Sequence, residues 1–490
     1  MTWWQRTQNL IHSPGPPLVF DGAMGTELYV RGLEAGGIPS RYSREHPEIV
    51  ADVHRAYLEA GAGILTTNSF NTPALALADP AEAVELVTAA VTLARRLADG
   101  SGRDIGVACD LGPTARLLEP LGELPYETAV AIYRGLAAAG QAAGADLILI
   151  ETMTDTYELK AAIVGAREGA ALPVFATWSP DSSGRLLTGA DLETTAALVA
   201  GLGVAALGIN CGTGPAAIAP QIARLARATA LPLIARPNAG VPHGASPTGG
   251  SDAYLDPADY RAEMAGLLGT GVRFVGGCCG TNPAHIRELA GLAADSCTGL
   301  AEVRERAVAT SSRQAFYPGG GSGALRIGAR LAGGGTEVDD PIGEALDQLD
   351  EGCDLIAVPA DPELVAELEP LVNAPLVVVG DDPARLEATL RLGRGRALVQ
   401  VSGPEAFGAA AAVAGRYGAA VLVPAGGAAE ARLAELVETA GLPREWIFLG
   451  GRGERLEALR RSWGVGSWLD LAAGGEAEAG CDLVSVVSFS

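Results

Sequence analysis

Two adjacent cysteines set among glycines, GGCCGT at residues 276–281, end an apolar run. Neighbouring thiols are poorly placed to bond each other, whereas a strand that ends in two thiols can aim both at one metal ion. Cys211, in GINCGTGP, supplies a third thiol, again at the C-terminal end of a short apolar run and again followed by glycine. Cys211, Cys278 and Cys279 together predict a Zn²⁺ site with its fourth position left open, the arrangement of a catalytic centre rather than a closed structural one. The other cysteines, Cys109, Cys297, Cys353 and Cys481, have no partner at metal-ligand spacing and read as buried small hydrophobes. None of the five histidines is assigned to the metal; His243, in the loop VPHGASPTGG, is the first reserve, and His12, His46, His54 and His285 fall in loops or helical patterns.

Something must bring these strand ends together. Over the first 295 residues strand and helix patterns alternate, with apolar runs ending at LVFDGAM, ILTTNSF, IGVACDLG, LILIETM, PVFATWS, ALGINCG, LPLIARPNAG and FVGGCCG. Helical patterns such as PEIVADVHRAYLEAG and YETAVAIYRGLAAAGQAAG lie between them. Runs that are apolar throughout suit a parallel sheet covered by helices, and eight such units make a (β/α)₈ TIM barrel the predicted α/β fold. An open doubly wound sheet is the competing arrangement, although no dinucleotide-type glycine fingerprint follows the first strand. The barrel explains why Asp21, Thr67, Asn68, Asp110, Glu151, Asn210 and Asn238 end apolar strands as the cysteines do, since catalytic groups gather at that face. Asp110, ahead of Gly112 and Pro113, also fits an ordinary turn residue.

Composition narrows the partners. The chain has 490 residues, with 35 basic against 58 acidic side chains and a net charge of −23. That balance argues against nucleic acid and anionic membrane as partners. The start, MTWWQRTQNL, has no leader pattern, no segment reaches the ~18 apolar residues of a membrane span, and the scattered odd number of cysteines fits a reducing compartment, so a cytoplasmic protein is expected.

DGAMGTEL, TTNSFN, LGPT, IETMTDTYELKAA, GINCGTGP, PNAG and VGGCCGTNPAHI occur in this order over residues 10–295. Together they resemble the homocysteine S-methyltransferase family, in the branch of the homocysteine-binding module of cobalamin-dependent methionine synthase. The resemblance implies the same barrel, zinc on Cys211, Cys278 and Cys279, and Asp21 and Glu151 as amino-acid-binding carboxylates. It further implies a substrate thiol deprotonated on the metal, its ammonium held by Asp21 or Glu151, and its carboxylate by backbone N–H groups or by Thr67, Asn68, Asn210 and Asn238 at the barrel mouth. The implied donor is a methyl-corrinoid (methylcobalamin) carried by a separate protein. S-adenosylmethionine, S-methylmethionine or a betaine, used by other branches, are the alternatives, and a non-catalytic zinc or thiol-binding scaffold is the alternative of another class. An onium donor would favour aromatic groups near the zinc, for which Tyr29, Phe70, Trp178 and Tyr254 are the candidates.

Composition changes after Ala294. The segment CTGLAEVRERAVATSSRQAFYPGGGSG reads as a short polar helix running into a glycine-rich linker, giving a barrel over residues 1–300, a linker over 301–323 and a second domain over 324–490. ALRIGARL, DLIAVPA, PLVVVG, ALVQVSG, AAVLVPA, WIFLGG, WLDL and DLVSVVSFS predict another parallel α/β unit, compact or incomplete because it is shorter than the ~200 residues of an ordinary barrel. DQLDEGCDLIAV and AGRYGAAVLVPA resemble units of the pterin-binding barrel that follows the homocysteine module in methionine synthase. Where that family places polar pterin ligands, this chain has Val358 to Ala360, Gly380, Ser402, Gly403, Pro424 to Gly427, Gly450 and Gly451. Asp361, Asp381 and Asp382 precede or adjoin prolines and read equally well as helix N-caps. Folate binding is therefore expected to be absent, and no segment resembles a cobalamin-binding domain.

Overall fold

The computed structural model describes residues 1–240, 254–302, 307, 309–317, 327, 331, 340–401, 406–424, 447–450 and 468–469. Its contacts divide the chain into two compact units, one of residues 1–192 and 204–304, the other of 193–203 and 305–490.

In the first unit eight strands run in parallel: β1 (Leu18–Val19), β2 (Ile64–Thr66), β3 (Gly106–Leu111), β4 (Leu147–Met153), β5 (Val174–Trp178), β6 (Ala206–Cys211), β7 (Leu233–Pro237) and β8 (Val272–Val275). Each pairs with its sequence neighbour from β2 to β8, and β8 pairs with β1. The ring closes through a parallel bridge between Phe20 and Ile64 and the hydrogen bond from Asp21 N–H to the Ile64 carbonyl at 3.0 Å. This is the (β/α)₈ barrel that the alternation predicts.

The barrel interior is filled by Phe20, Ile64, Ala108, Leu147, Leu149, Phe175, Ala206, Ile234 and Phe274, and the N-terminal helix Trp3–His12 adds Trp3 and Ile11. A Cβ at Gly106 would meet the Trp3 ring at 2.6 Å, so the helix seats only because that strand residue has no side chain. Arg273, fully buried on β8, donates to the carbonyls of Leu10, Ile11, Ser13, Gly15 and Thr298 and ties this helix to the barrel. A buried guanidinium is tolerated when its donors are all paired, and here carbonyl dipoles do the pairing.

Helix boundaries follow their capping chemistry. Pro47 opens the helix Pro47–Ala60 and Gly61, at φ +106°, closes it in the left-handed conformation. Asn282 caps Pro283–Ala294 in a capping box with His285, whose other ring nitrogen meets the Leu255 carbonyl at 2.8 Å, so this histidine is structural.

The second unit holds a six-stranded parallel sheet in consecutive order: Ile356–Pro359, Leu376–Val379, Leu398–Gln400, Ala420–Pro424, Ile447–Gly450 and Trp468–Leu469. Ile327 adds a parallel bridge to Leu355 ahead of the first strand. Consecutive order without a switch point is what part of a barrel wall has, in keeping with the expected incomplete barrel. DLVSVVSFS lies outside the described residues. Asp361 and Asp382 are N-caps, accepting from Glu363 and Leu364 and from Ala384 respectively. The polar helix expected after Cys297 falls largely on residues 303–306 and 308, which lie outside the described residues; beyond it Ala309–Thr310 pairs antiparallel with Ala315–Phe316. Cys109 and Cys353 are buried as expected, but Cys297 is exposed, because it follows the end of a helix and nothing covers it among the described residues. Cys481 and His243 lie outside the described residues. Among those described, no helix is long and apolar enough to cross a membrane.

Candidate metal and substrate site

Side chains alternate along a strand, so the interior residues set the phase of the positions beyond them. Counting by two from Ile64, Ala108, Leu149, Ala206 through Gly208, and Ile234 leads to Thr66, Asp110, Glu151, Asn210 and Arg236. Each of these five is buried at the C-terminal end of its strand.

The three predicted cysteines converge. Their Sγ atoms all lie within 4.8 Å of one another, with Cys279 the most exposed. Cys211 sits at φ +63°, a left-handed conformation that costs a non-glycine residue on the order of 1–3 kcal/mol and persists where surrounding structure enforces it. The enforcement comes from the end of β7: the Asn238 side-chain amide donates to the Gly212 carbonyl, and the Asn238 N–H to the Cys211 carbonyl at 3.3 Å. The paired cysteines ride on a loop held on three sides. Cys278 N–H reaches the Pro237 carbonyl at 2.9 Å, Gly277 N–H the Asp21 carbonyl at 3.1 Å, and the Thr281 hydroxyl the Cys278 carbonyl at 2.7 Å. Gly277 is required by space, since a Cβ there would stand 2.2 Å from the Thr281 hydroxyl oxygen. The nearby Cys278 and Cys279 thiols pull Cys211 down to about 3, and Cys211 pushes Cys279 up to about 12. Three sulfurs this close together suit a thiophilic cation.

A cavity of about 190 Å³ opens beside the sulfurs, walled in part by Thr67, Asn68, Asp110, Glu151, Thr152 and Arg236. No sequence motif singles out Arg236, which sits inside the apolar run LPLIARPNAG, yet it is the cation on which the acidic groups converge. Its guanidinium donates to Glu151 Oε2 at 2.7 Å and to the Thr66 hydroxyl at 3.1 Å, stands 3.6 Å from Asp21 Oδ1, and lies 4.8 Å over the Phe20 ring. Next to Glu151 β4 becomes irregular: its register with β5 shifts between Ile150 and Met153, and Thr152 takes φ +60°. Asn210 clamps that irregularity: it accepts from Thr152 N–H at 2.8 Å and the Thr177 hydroxyl at 2.9 Å, and donates to the Thr152 hydroxyl at 2.6 Å. Its amide nitrogen is also 3.8 Å from Cys278 Sγ.

The other candidates divide by position. Thr67 and Asn68 are on the cavity wall, but the Thr67 hydroxyl is engaged by Ser69 and the Asp110 N–H, and the Asn68 amide by the Pro39 carbonyl and Ser43. Asp21, Asn210 and Asn238 stand behind the wall. Asp21 accepts from Thr66 N–H at 2.7 Å, and burial raises its carboxyl to about 7 against the pull of Arg236. Burial likewise raises Glu151 and Asp110. Of the aromatic candidates, Phe70 lines the cavity and Trp178 is buried in the core.

A profile described as homocysteine S-methyltransferase matches residues 18–293. The methionine synthase of Mycobacterium tuberculosis is 36% identical over 299 residues, covering 57% of this chain and 25% of that protein. The methionine synthase of Mycobacterium leprae is 35% identical over 312 residues, covering 59% and 25%. The chain thus spans about a quarter of the length of these relatives. Among solved structures, the homocysteine methyltransferase MmuM from Escherichia coli in its metallated form is 28% identical, with a TM-score of 0.48, covering 56% of this chain and 96% of that one. With its family profile spanning the whole described ring of strands and its three cysteines at the strand ends, the chain belongs to the homocysteine S-methyltransferase family.

Proposed function

We propose that this chain is a zinc-dependent homocysteine S-methyltransferase that forms methionine, with a methyl-corrinoid on a separate protein as donor. The observation that carries the reading is the trio of sulfurs, mutually within 4.8 Å, at the edge of a cavity walled by carboxylates. The donor set fits zinc: tetrahedral bonds of ~2.3 Å place sulfurs roughly 3.8 Å apart, which small side-chain rotations reach from this arrangement. Zinc bound by Cys211, Cys278 and Cys279 would supply the Lewis acidity that keeps a substrate thiol deprotonated at neutral pH. As its ligands, the three cysteine thiolates would offset the dication's charge, so that a bound substrate sulfur would stay nucleophilic enough to take a methyl group. Glu151 offers its carboxylate to the amino acid's ammonium while Arg236, with Asp21 3.6 Å from its guanidinium, holds Glu151 in place. Asn210 and Asn238 support the strand ends that carry Thr152 and Cys211.

The corrinoid donor is supported by the identity to methionine synthases, and residues 1–300, 301–323 and 324–490 are read as thiol-activating barrel, linker and second α/β domain. Turnover of homocysteine should be assayed with each donor class in parallel, a methyl-corrinoid protein, S-adenosylmethionine, S-methylmethionine and a betaine. Methionine formed only with an onium compound would replace the donor, and bound zinc without turnover from any of them would leave a scaffold. The site itself has a separate check: Cys278→Ala should reduce zinc from about one per chain to near none after dialysis, and full zinc retention would refute the ligand assignment.

A further inference from the structure

We infer that Asp110 is a further substrate-binding residue, whose carboxylate receives the α-ammonium group of the amino-acid thiol; this rests on the homocysteine reading. Asp110 is on β3, two residues beyond the interior Ala108, so its side chain belongs to the same inward layer as Glu151 and Arg236. It lines the cavity together with Glu151, Cys211, Cys278 and Cys279, whereas Asp21 stands behind that wall.

The main chain around Asp110 is fully engaged. Its N–H donates to the Thr67 hydroxyl at 3.0 Å, and its carbonyl accepts from the Ser69 hydroxyl at 2.7 Å. The side chain is not: the residue is 3% exposed, and carboxyl oxygen Oδ1 is buried with no hydrogen-bond partner among the described residues. A turn residue or helix cap would direct that oxygen to a nearby N–H, and this one has none. A buried carboxyl without a partner costs on the order of 1–3 kcal/mol, and a cavity-lining group in that state is satisfied by what enters the cavity.

Charge decides what that is. Asp21, Asp110 and Glu151 gather around the guanidinium of Arg236, which is already engaged by Glu151 and Thr66. Among the described residues the wall lacks a second cation, and an amino acid supplies one as its ammonium. Burial and the neighbouring Glu151 push the Asp110 carboxyl well above the usual carboxylate range in the free site, consistent with a group waiting for a countercharge. An ammonium with three donors can bridge Asp110 and Glu151, which makes the site selective for thiols that carry a free α-amine.

The test is a ligand cycle on the zinc-loaded full chain. L-homocysteine and 4-mercaptobutyrate, which has the thiol and carboxylate but no amine, are titrated calorimetrically into the wild type, Asp110→Asn and Asp110→Ser. The assignment expects homocysteine to weaken about tenfold or more in both variants, while 4-mercaptobutyrate changes less than about twofold and zinc content and melting temperature are retained. Equal weakening of both ligands would show Asp110 to act only through structure, and unchanged homocysteine affinity would remove it from the site; either overturns the assignment alone. A wild type that binds neither thiol would overturn the homocysteine reading and this inference with it.

Discussion

Arg236 shows how one side chain sets the character of a site. It is 3% exposed and pairs with Glu151 at 2.7 Å, with Asp21 at 3.6 Å on its other side. Removing one partner of a buried pair leaves the other as an uncompensated charge, typically costing about 3–5 kcal/mol. Arg236→Met should therefore lower the urea midpoint strongly, and adding Glu151→Gln should recover part of the loss, because the uncharged amide no longer needs the cation. Equal stability of wild type and Arg236→Met would mean that the carboxylates are neutral without their arginine. Lysine is not an equivalent replacement, since a single ammonium cannot reach Glu151 and the Thr66 hydroxyl as the planar fork does.

At the scale of the element, the helix Pro47–Ala60 carries an unusual passenger. His54 is fully buried within it, and neither ring nitrogen has a partner among the described residues. Burial lowers its ring from 6.5 to about 4. Between those values the unfolded chain holds a proton that the native state does not, so stability is fully present above pH 6.5 and declines as pH falls toward 4. The difference amounts to roughly 3 kcal/mol. Asp21, raised to about 7, works in the opposite sense, because its native carboxyl keeps a proton that the unfolded chain has released. Comparing His54→Leu with wild type separates the two: the stability gap between them should shift in favour of the leucine variant from pH 7 to pH 4, measured by urea unfolding. A gap independent of pH would show that the ring is protonated in both states or in neither.

For the whole molecule, the two units share a parallel α/β design but differ in what their strands end with. In the first, cysteines, carboxylates and Arg236 crown the barrel. In the second, the first three strands run into Ala360, Gly380 and Val401, and the nearby Asp361 and Asp382 are engaged as helix caps. A pterin needs directional donors and acceptors, which such residues do not offer from their side chains. Titrating the full chain calorimetrically with methyltetrahydrofolate should give no saturable heat up to the order of millimolar. Micromolar binding would restore a second substrate site and make this a two-substrate fragment of a methionine synthase.

The barrel and its cysteine trio are legible in the chain because each depends on local chemistry. Strands covered on both sides need continuous apolar runs, and a Cys-Cys pair among glycines has few uses other than a metal. Those same runs hide the phase of each strand. In LIARP on β7 both Ile234 and Ala235 are apolar, so nothing in the run says that Ile234 faces the interior and that Arg236 therefore faces the mouth. Closure of the ring decides that, and it brings Arg236 against Glu151 from 85 residues away. Closure likewise decides that Asn210 and Asn238, which end strands as substrate contacts would, meet the backbone at Thr152 and Cys211. Asp110 is ambiguous in sequence, since a carboxylate before glycine and proline suits a turn as well as a site. The packed barrel adds that its carboxyl oxygen Oδ1 is buried on the cavity wall with no hydrogen-bond partner among the described residues, which is the observation behind the inferred substrate contact.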